Sequence, residues 1–214
     1  MDRDAYLDAW AVTHGGYEPR ANALVRGWLT GAYVVARPLS AARVPPDVVT
    51  LLGVLVSAGA AGLAVGGGAG WLLASALAVI ASGLLDSLDG AVALLTGRVT
   101  RWGHVLDSVA DRVSDLLYLV ALWLAGAHPG VCVGGGILTL LQEYARARAA
   151  AGGMSEVGVV TVWERPTRVI VTAAFLASAA LLGDPWPTLG AAAWVGLGVV
   201  GLGQLLVVVH RRLA

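Results

Sequence analysis

The sequence predicts an all-α integral membrane protein, with six transmembrane helices preceded by an amphipathic interfacial helix. Three observations carry this expectation. Of 214 residues, 57% are hydrophobic and only 13% charged, with a mean hydropathy of +0.76. A soluble domain is about a quarter charged, and a water-soluble chain of this size could not hide so much apolar surface. Six runs approach the roughly 20 apolar residues that a bilayer span requires. All basic residues are arginine, 14 of them, and none falls in the three shortest breaks between those runs. The 29 glycines agree, since glycine is commoner in membrane helices than in soluble ones. High hydropathy, the lack of a Gly-X-Y period and a single cysteine exclude disordered, collagen-like and disulfide-rich classes. The formal charge is zero, so nothing suggests a nucleic-acid partner.

In chain order, residues 1–20 form a polar N-terminal segment without the apolar core of a secretion signal. Residues 21–43 mix Arg26 and Arg37 with Trp28, Tyr33 and aliphatic residues, the pattern of a helix lying at a membrane surface. Arg26, Arg37 and Pro38 argue against a seventh span there. Residues 44–214 form the six-span domain, with spans near 47–66, 69–95, 104–127, 130–149, 168–183 and 188–209. Cys132, in an apolar Gly-rich run, reads as a small buried side chain. Five arginines precede the first span (3, 20, 26, 37, 43) and three surround the second connection (98, 101, 112). Four flank the fourth connection (146, 148, 165, 168), and two end the chain (211, 212). The positive-inside rule then places both termini and the long connections in the cytoplasm, with the chain in the cell membrane. Trp10, Trp28, Trp71, Trp102, Trp123, Trp163, Trp186 and Trp194 read mostly as interfacial anchors.

Ionisable groups within spans are costly and usually functional. The chain has ten Asp, and five fall between Leu84 and Asp115. Asp86 and Asp89 share a face at the end of the second span, and Asp107, Asp111 and Asp115, four apart, form a stripe along the third. A short turn around Thr96–Trp102 would bring the two faces together. Carboxylates so placed repel in a low dielectric and attract hard divalent cations, which prefer carboxylate oxygen. Structural pairing with Arg98, Arg101 and Arg112, a cation or proton pathway, and a solvated charge cluster are the other readings of these residues.

The complete spacing is Asp86-x-x-Asp89-Gly90-x-x-Ala93, one residue, eight more, then Gly103-x-x-x-Asp107-x-x-x-Asp111. It resembles the signature of the CDP-alcohol phosphotransferase family, with seven of its eight fixed positions present. The departure is Leu94, where the family carries Arg. The resemblance implies that Asp86, Asp89, Asp107 and Asp111 hold one or two Mg2+ or Mn2+ ions, with Asp111 also the general base on the acceptor hydroxyl. It further implies that Asp47, Thr50, Asp86, Gly90, Ala93, Arg98, Gly103 and Asp107 meet the CDP donor. Arg98 or Arg101 would substitute for the missing Arg. The implied donor is CDP-diacylglycerol, the by-product CMP, and the assembly a homodimer among membrane lipids.

The acceptor is addressed by a second stretch. Gln142 to Arg148 and Trp163 to Arg168 place Arg146, Arg148, Arg165 and Arg168 around one connection. Arginine suits bidentate phosphate binding, but arginine at helix ends also fixes topology or meets anionic headgroups. The Tyr144-x-Arg146-x-Arg148 and Glu164-Arg165-Pro166-x-x-Arg168 runs, with Pro46 to Gly53, are similar to the actinobacterial phosphatidylinositol-phosphate synthase branch. That similarity implies a phosphorylated polyol acceptor, inositol phosphate, bound by the four arginines. Glycerol phosphate or phosphatidylglycerol as acceptor, or a non-catalytic CDP-lipid binder, are the alternatives. His104 reads as a solvent-facing interfacial residue, and Glu143 as the partner of a nearby Arg.

Overall fold

The computed structural model describes residues 1–13, 16–154 and 160–213. His14 and Gly15 of the polar N-terminal segment, and residues 155–159 and 214 of the expected six-span domain, lie outside the described residues. Among those described, the chain is all-helical. The helices are α1 (Arg3–Thr13), α2 (Ala23–Ala41), α3 (Pro46–Ala64), α4 (Ala69–Thr96), α5 (Arg101–Leu124), α6 (Pro129–Ala151), α7 (Arg165–Leu182) and α8 (Trp186–Leu213). A single 3-10 turn occupies Pro19–Ala21.

The boundaries follow local chemistry. Proline opens α3 and α6 and is the second residue of α7 and α8, positions where its missing N–H costs nothing. Gly97, at φ 65°, stops α4 in the left-handed conformation that glycine alone adopts without penalty. Among the described residues, four helices are long and apolar enough to cross a membrane: α3, α4, α7 and α8. Around them, side chains such as Leu55, Leu77, Leu181 and Val199 are exposed, a surface suited to lipid. The third and fourth expected spans form α5 and α6, but α5 carries Asp107, Asp111, Arg112 and Asp115 and α6 carries Glu143, Arg146 and Arg148. The expected interfacial helix spans Ala23–Ala41 and continues through Pro38. The N-terminal segment, read only as polar, contains α1.

The chain divides into two compact units. The first comprises Met1–Gly53 and Gly83–Ala110, the second Val54–Ser82 and Asp111–Ala214. In the first, α1 and α2 build a small core: Tyr6, Leu7, Leu29, Tyr33 and Ala36 bury against Ala91 and Val92 of α4. The Tyr6 and Tyr33 rings lie 5.5 Å apart. Burial pushes the Tyr6 phenol up to about 12. Leu94 packs against the same core, so the position where the family carries Arg is here part of an apolar contact.

The second unit has the larger core, in which α8 packs on α6 and α7. Glycine is required at two positions of α8. A Cβ on Gly201 would lie 2.6 Å from Trp163 Cβ, and one on Gly190 2.7 Å from Phe175 Cβ; small residues let such helices approach closely. Trp163 and Trp194 are fully buried, their rings edge-on at 5.0 Å, and Trp194 Nε1 donates to Thr172 Oγ1 at 3.1 Å. This corrects the reading of these two tryptophans as interfacial anchors, because neither indole reaches the surface. Trp28, Trp71, Trp102 and Trp123 are exposed, and Cys132 is buried.

Candidate active site

The acidic site of the first unit is built from the ends of three helices. In α4, Asp86 and Asp89 follow the last apolar turns. In α5, Gly103 and Asp107 begin the next helix. Asp47 and Thr50 occupy the first two turns of α3. Asp86 and Asp107 are half-buried and bring carboxylate oxygens within 4.8 Å of each other. An all-carboxylate oxygen set at that spacing fits a hard divalent cation. Asp111 is one turn beyond Asp107 on the continuous helix α5, so the helix carries the acidic face onward.

Asp89 is held differently. It is 6% exposed; Thr50 Oγ1 donates to its Oδ2 at 2.6 Å, and the Gly90 backbone N–H to its Oδ1 at 2.6 Å. Three helical residues turn about 300°, so Asp89 stands roughly 60° around from Asp86, and its carboxylate is turned to Thr50. Of the expected metal carboxylates, Asp86 and Asp107 meet, while Asp89 accepts hydrogen bonds from Thr50 and the Gly90 backbone.

Of the expected donor-binding residues, Gly90 is exposed, and a Cβ there would meet nothing within 4 Å. Packing therefore does not demand this glycine, and its bare backbone is open to an incoming group. Gly103 donates its N–H to Thr100 Oγ1 at 2.9 Å, and a Cβ there would crowd that oxygen at 3.1 Å and stand 4.0 Å from Asp47 Oδ1. Ala93 is half-buried, while Arg98, Arg101 and His104 are exposed.

The second unit holds a dense ionic network of four arginines and four carboxylates. Arg165 Nη1 lies 2.6 Å from Asp111 Oδ1 and 4.0 Å from Asp115 Oδ1. Arg168 Nη1 lies 2.7 Å from Asp115 Oδ2, and its Nη2 donates to the Trp163 carbonyl at 3.0 Å and to Glu143 at 3.4 Å. Arg112 reaches Glu143 at 2.6 Å, and Asp111 and Asp115 both at 3.4 Å. Arg146 reaches Glu164 at 2.9 Å and Glu143 at 3.7 Å. Glu164 Oε1 also accepts from the Thr161 backbone N–H and hydroxyl, each at 2.8 Å. Glu143 thus pairs with arginine as expected.

The four expected phosphate-binding arginines do not occupy equivalent positions. The Arg148 residue is exposed. The Arg146 and Arg165 side chains are 21% and 13% exposed, whereas that of Arg168 is 1% exposed with both terminal nitrogens engaged. Sequence reasoning left Asp115, Arg112 and Glu164 outside the phosphate-binding set and offered Arg112 only as a structural partner of the Asp stripe. The signal for two of them was present: Asp115 follows Arg112 by three and Asp111 by four, the spacing at which helical side chains meet.

Comparison with known proteins decides the family. Residues 43–209 match the description "CDP-alcohol phosphatidyltransferase". The chain belongs to that family. It is an enzyme class in which the carboxylate signature has its place, and this member carries six of the seven matching signature residues in the first unit and Asp111 in the second. The chain is similar to the archaetidylinositol phosphate synthase of Aeropyrum pernix, at 38% identity over 68% of this chain and 73% of the relative. It is similar to the phosphatidylinositol phosphate synthase of Mycobacterium tuberculosis, at 32% identity over 83% of this chain and 82% of the relative. Crystal structures of the mycobacterial synthase superpose well. The complex with manganese and citrate gives a TM-score of 0.70 at 31% identity, over 83% of this chain and 88% of that one. The form with CDP-DAG bound gives 0.67 at 30% identity, over 84% and 92%.

Proposed function

We propose that this phosphatidyltransferase moves a phosphatidyl group from CDP-diacylglycerol to inositol phosphate and releases CMP. The observation that carries this reading is the combination of the intact carboxylate signature with similarity, over more than two thirds of each chain, to synthases whose named products share inositol phosphate. Those names differ in the lipid part, so the acceptor is the better supported half; the donor reading draws on the mycobacterial relative crystallised with CDP-DAG.

In this reading Asp86, Asp89, Asp107 and Asp111 would hold the divalent ion or ions, Mg2+ or Mn2+, which supply charge neutralisation at the pyrophosphate. Asp89 would join by exchanging its hydrogen bond from Thr50. Asp47, Thr50, Gly90, Ala93, Arg98 and Gly103 line the donor's approach, and the open Gly90 backbone admits the nucleotide. Asp111 accepts the proton of the acceptor hydroxyl; that oxygen bonds to the phosphatidyl phosphorus as the bond to CMP breaks. Arg146, Arg148 and Arg165 meet the acceptor's phosphate, with Arg168 behind them. The six helices α3 to α8 span the cell membrane with both termini and the site cytoplasmic, and two copies form a homodimer among membrane lipids.

CMP release by purified protein tests the reading. CDP-diacylglycerol and magnesium are supplied with inositol phosphate, inositol, glycerol phosphate or phosphatidylglycerol, beside an Asp111→Asn control. Release that needs inositol phosphate, metal and Asp111 is expected. Faster release with glycerol phosphate would move the enzyme to another branch, and CDP-lipid binding without release in any mixture would make it a non-catalytic member.

A further inference from the structure

Asp115 lies outside the signature and outside every residue set assigned above, yet it is fully buried and stands within 4.0 Å of three guanidinium groups, those of Arg112, Arg165 and Arg168. We infer that Asp115 is a positioning residue for the acceptor's phosphate, acting through Arg168 and Arg165 rather than by touching substrate. This rests on the acceptor reading above and deepens it.

Exposure orders the network from floor to mouth. The Asp115 side chain is 0% exposed and Arg168 1%, while Arg165, Arg146 and Glu164 reach 13%, 21% and 31%. Arg168 spends Nη1 on Asp115 and Nη2 on the Trp163 carbonyl and Glu143, and the Trp163 ring lies 5.9 Å from its guanidinium carbon. It cannot swing outward without giving up the shortest ion pair of Asp115, so it serves as a brace. Arg165, Arg112 and Arg146 are partly exposed, and each is held by carboxylates: Arg165 by Asp111, with Asp115 behind, Arg112 by Glu143, and Arg146 by Glu164 and Glu143.

The physical gain is preorganisation. A free arginine loses much rotamer freedom when it clamps a phosphate, and carboxylates that fix the guanidinium beforehand remove that cost from binding. For stability alone, an apolar pair at 115 and 168 would serve as well, because burying two charges costs about what their attraction returns. The network is also balanced, four arginines against four carboxylates. Once Asp111 has taken the proton of the acceptor hydroxyl, its negative charge is gone and the network carries one net positive charge beside the bound anion.

The test is Asp115→Asn, which keeps shape and removes charge. We expect the KM for inositol phosphate to rise about tenfold or more, as for other groups that orient a ligand's direct contacts, while kcat and the KM for CDP-diacylglycerol stay within about twofold. The double variant Asp115→Asn, Arg168→Gln should cost no more in acceptor KM than the costlier single change, because the two act as a unit. As an arm independent of turnover, inorganic phosphate should raise the Tm of the unaltered protein, and Asp115→Asn should need about tenfold more phosphate for the same rise. A fall in kcat with both KM values unchanged, or an undiminished phosphate shift in the variant, overturns the inference. If the unaltered protein uses no polyol phosphate, the acceptor reading falls, and the phosphate shift still decides Asp115. Should Asp115→Asn lose its CDP-diacylglycerol-induced rise in Tm, and so not be folded, Glu143→Gln replaces it: a selective rise in acceptor KM supports the brace, and a uniform effect sinks it.

Discussion

Asp89 and Asp115 are both buried aspartates on helices of the same small membrane enzyme, and they are held in opposite ways. Asp89, in the first unit, receives hydrogen bonds from a hydroxyl and a backbone amide. These bonds fix its orientation and cancel no charge. Asp115, in the second unit, is surrounded by guanidinium groups, and its charge is spent inside the protein. The difference separates two uses of a buried carboxylate. One oriented by neutral donors keeps its affinity for a cation arriving from outside. One compensated by arginine becomes structure, and serves chemistry only through the cations it steadies.

That contrast can be broken experimentally. The largest effect is expected from Asp89→Asn, which should cost about a hundredfold or more in CMP release while the Tm stays close to that of the unaltered protein. A collapsed Tm would place Asp89 with Asp115 as structure. Arg168→Met should do the reverse, lowering stability by about 3 kcal/mol, because it removes the shortest ion pair of a buried charge; denaturation in detergent reads it, and a loss under about 1 kcal/mol would mean that Arg112 and Arg165 suffice for Asp115. Thr50→Val keeps the shape of the side chain and removes the donor to Asp89. Mn2+ affinity by calorimetry should weaken about tenfold, as for other hydrogen-bonding supports of a metal ligand, with unchanged affinity counting against the orienting role. Trp194→Phe, deep in the second core, removes one hydrogen bond to Thr172 and should cost about 1 kcal/mol with no change in either KM.

The smallest effect concerns the first unit. Burial raises the Tyr6 phenol to about 12, against about 10 in an unfolded chain. The folded state therefore keeps its proton longer, and the stabilisation is complete below pH 10 and lost as pH rises towards 12. Helicity monitored across that range should show α1 loosening, and Tyr6→Phe should remove the transition.

Much of the site was legible before any coordinates. Side chains three or four apart on a helix meet whatever surrounds them, so the acidic face of Asp107 and Asp111 followed from spacing. The meeting of Asp86 with Asp107 needed only a short turn. Trp163 and Trp194 were misread because an indole at a helix end looks alike in sequence whether it faces headgroups or a neighbouring helix. The four arginines could not be ranked for a similar reason: guanidinium groups flanking one connection differ in depth once α8 packs on α6 and α7.

The sequence by itself determined the helical membrane class, the family and the carboxylate signature, because hydropathy over 20 residues and spacing within one helix are local properties. Tertiary structure alone decided which charge is spent and which is kept. It turned Asp89 to Thr50, put Leu94 into the α1–α2 core, and buried Arg168 on Asp115 while leaving Arg165 near the surface. Those outcomes depend on what a side chain meets from residues dozens of positions away, and on the cost of leaving a charge without water, which no local pattern encodes.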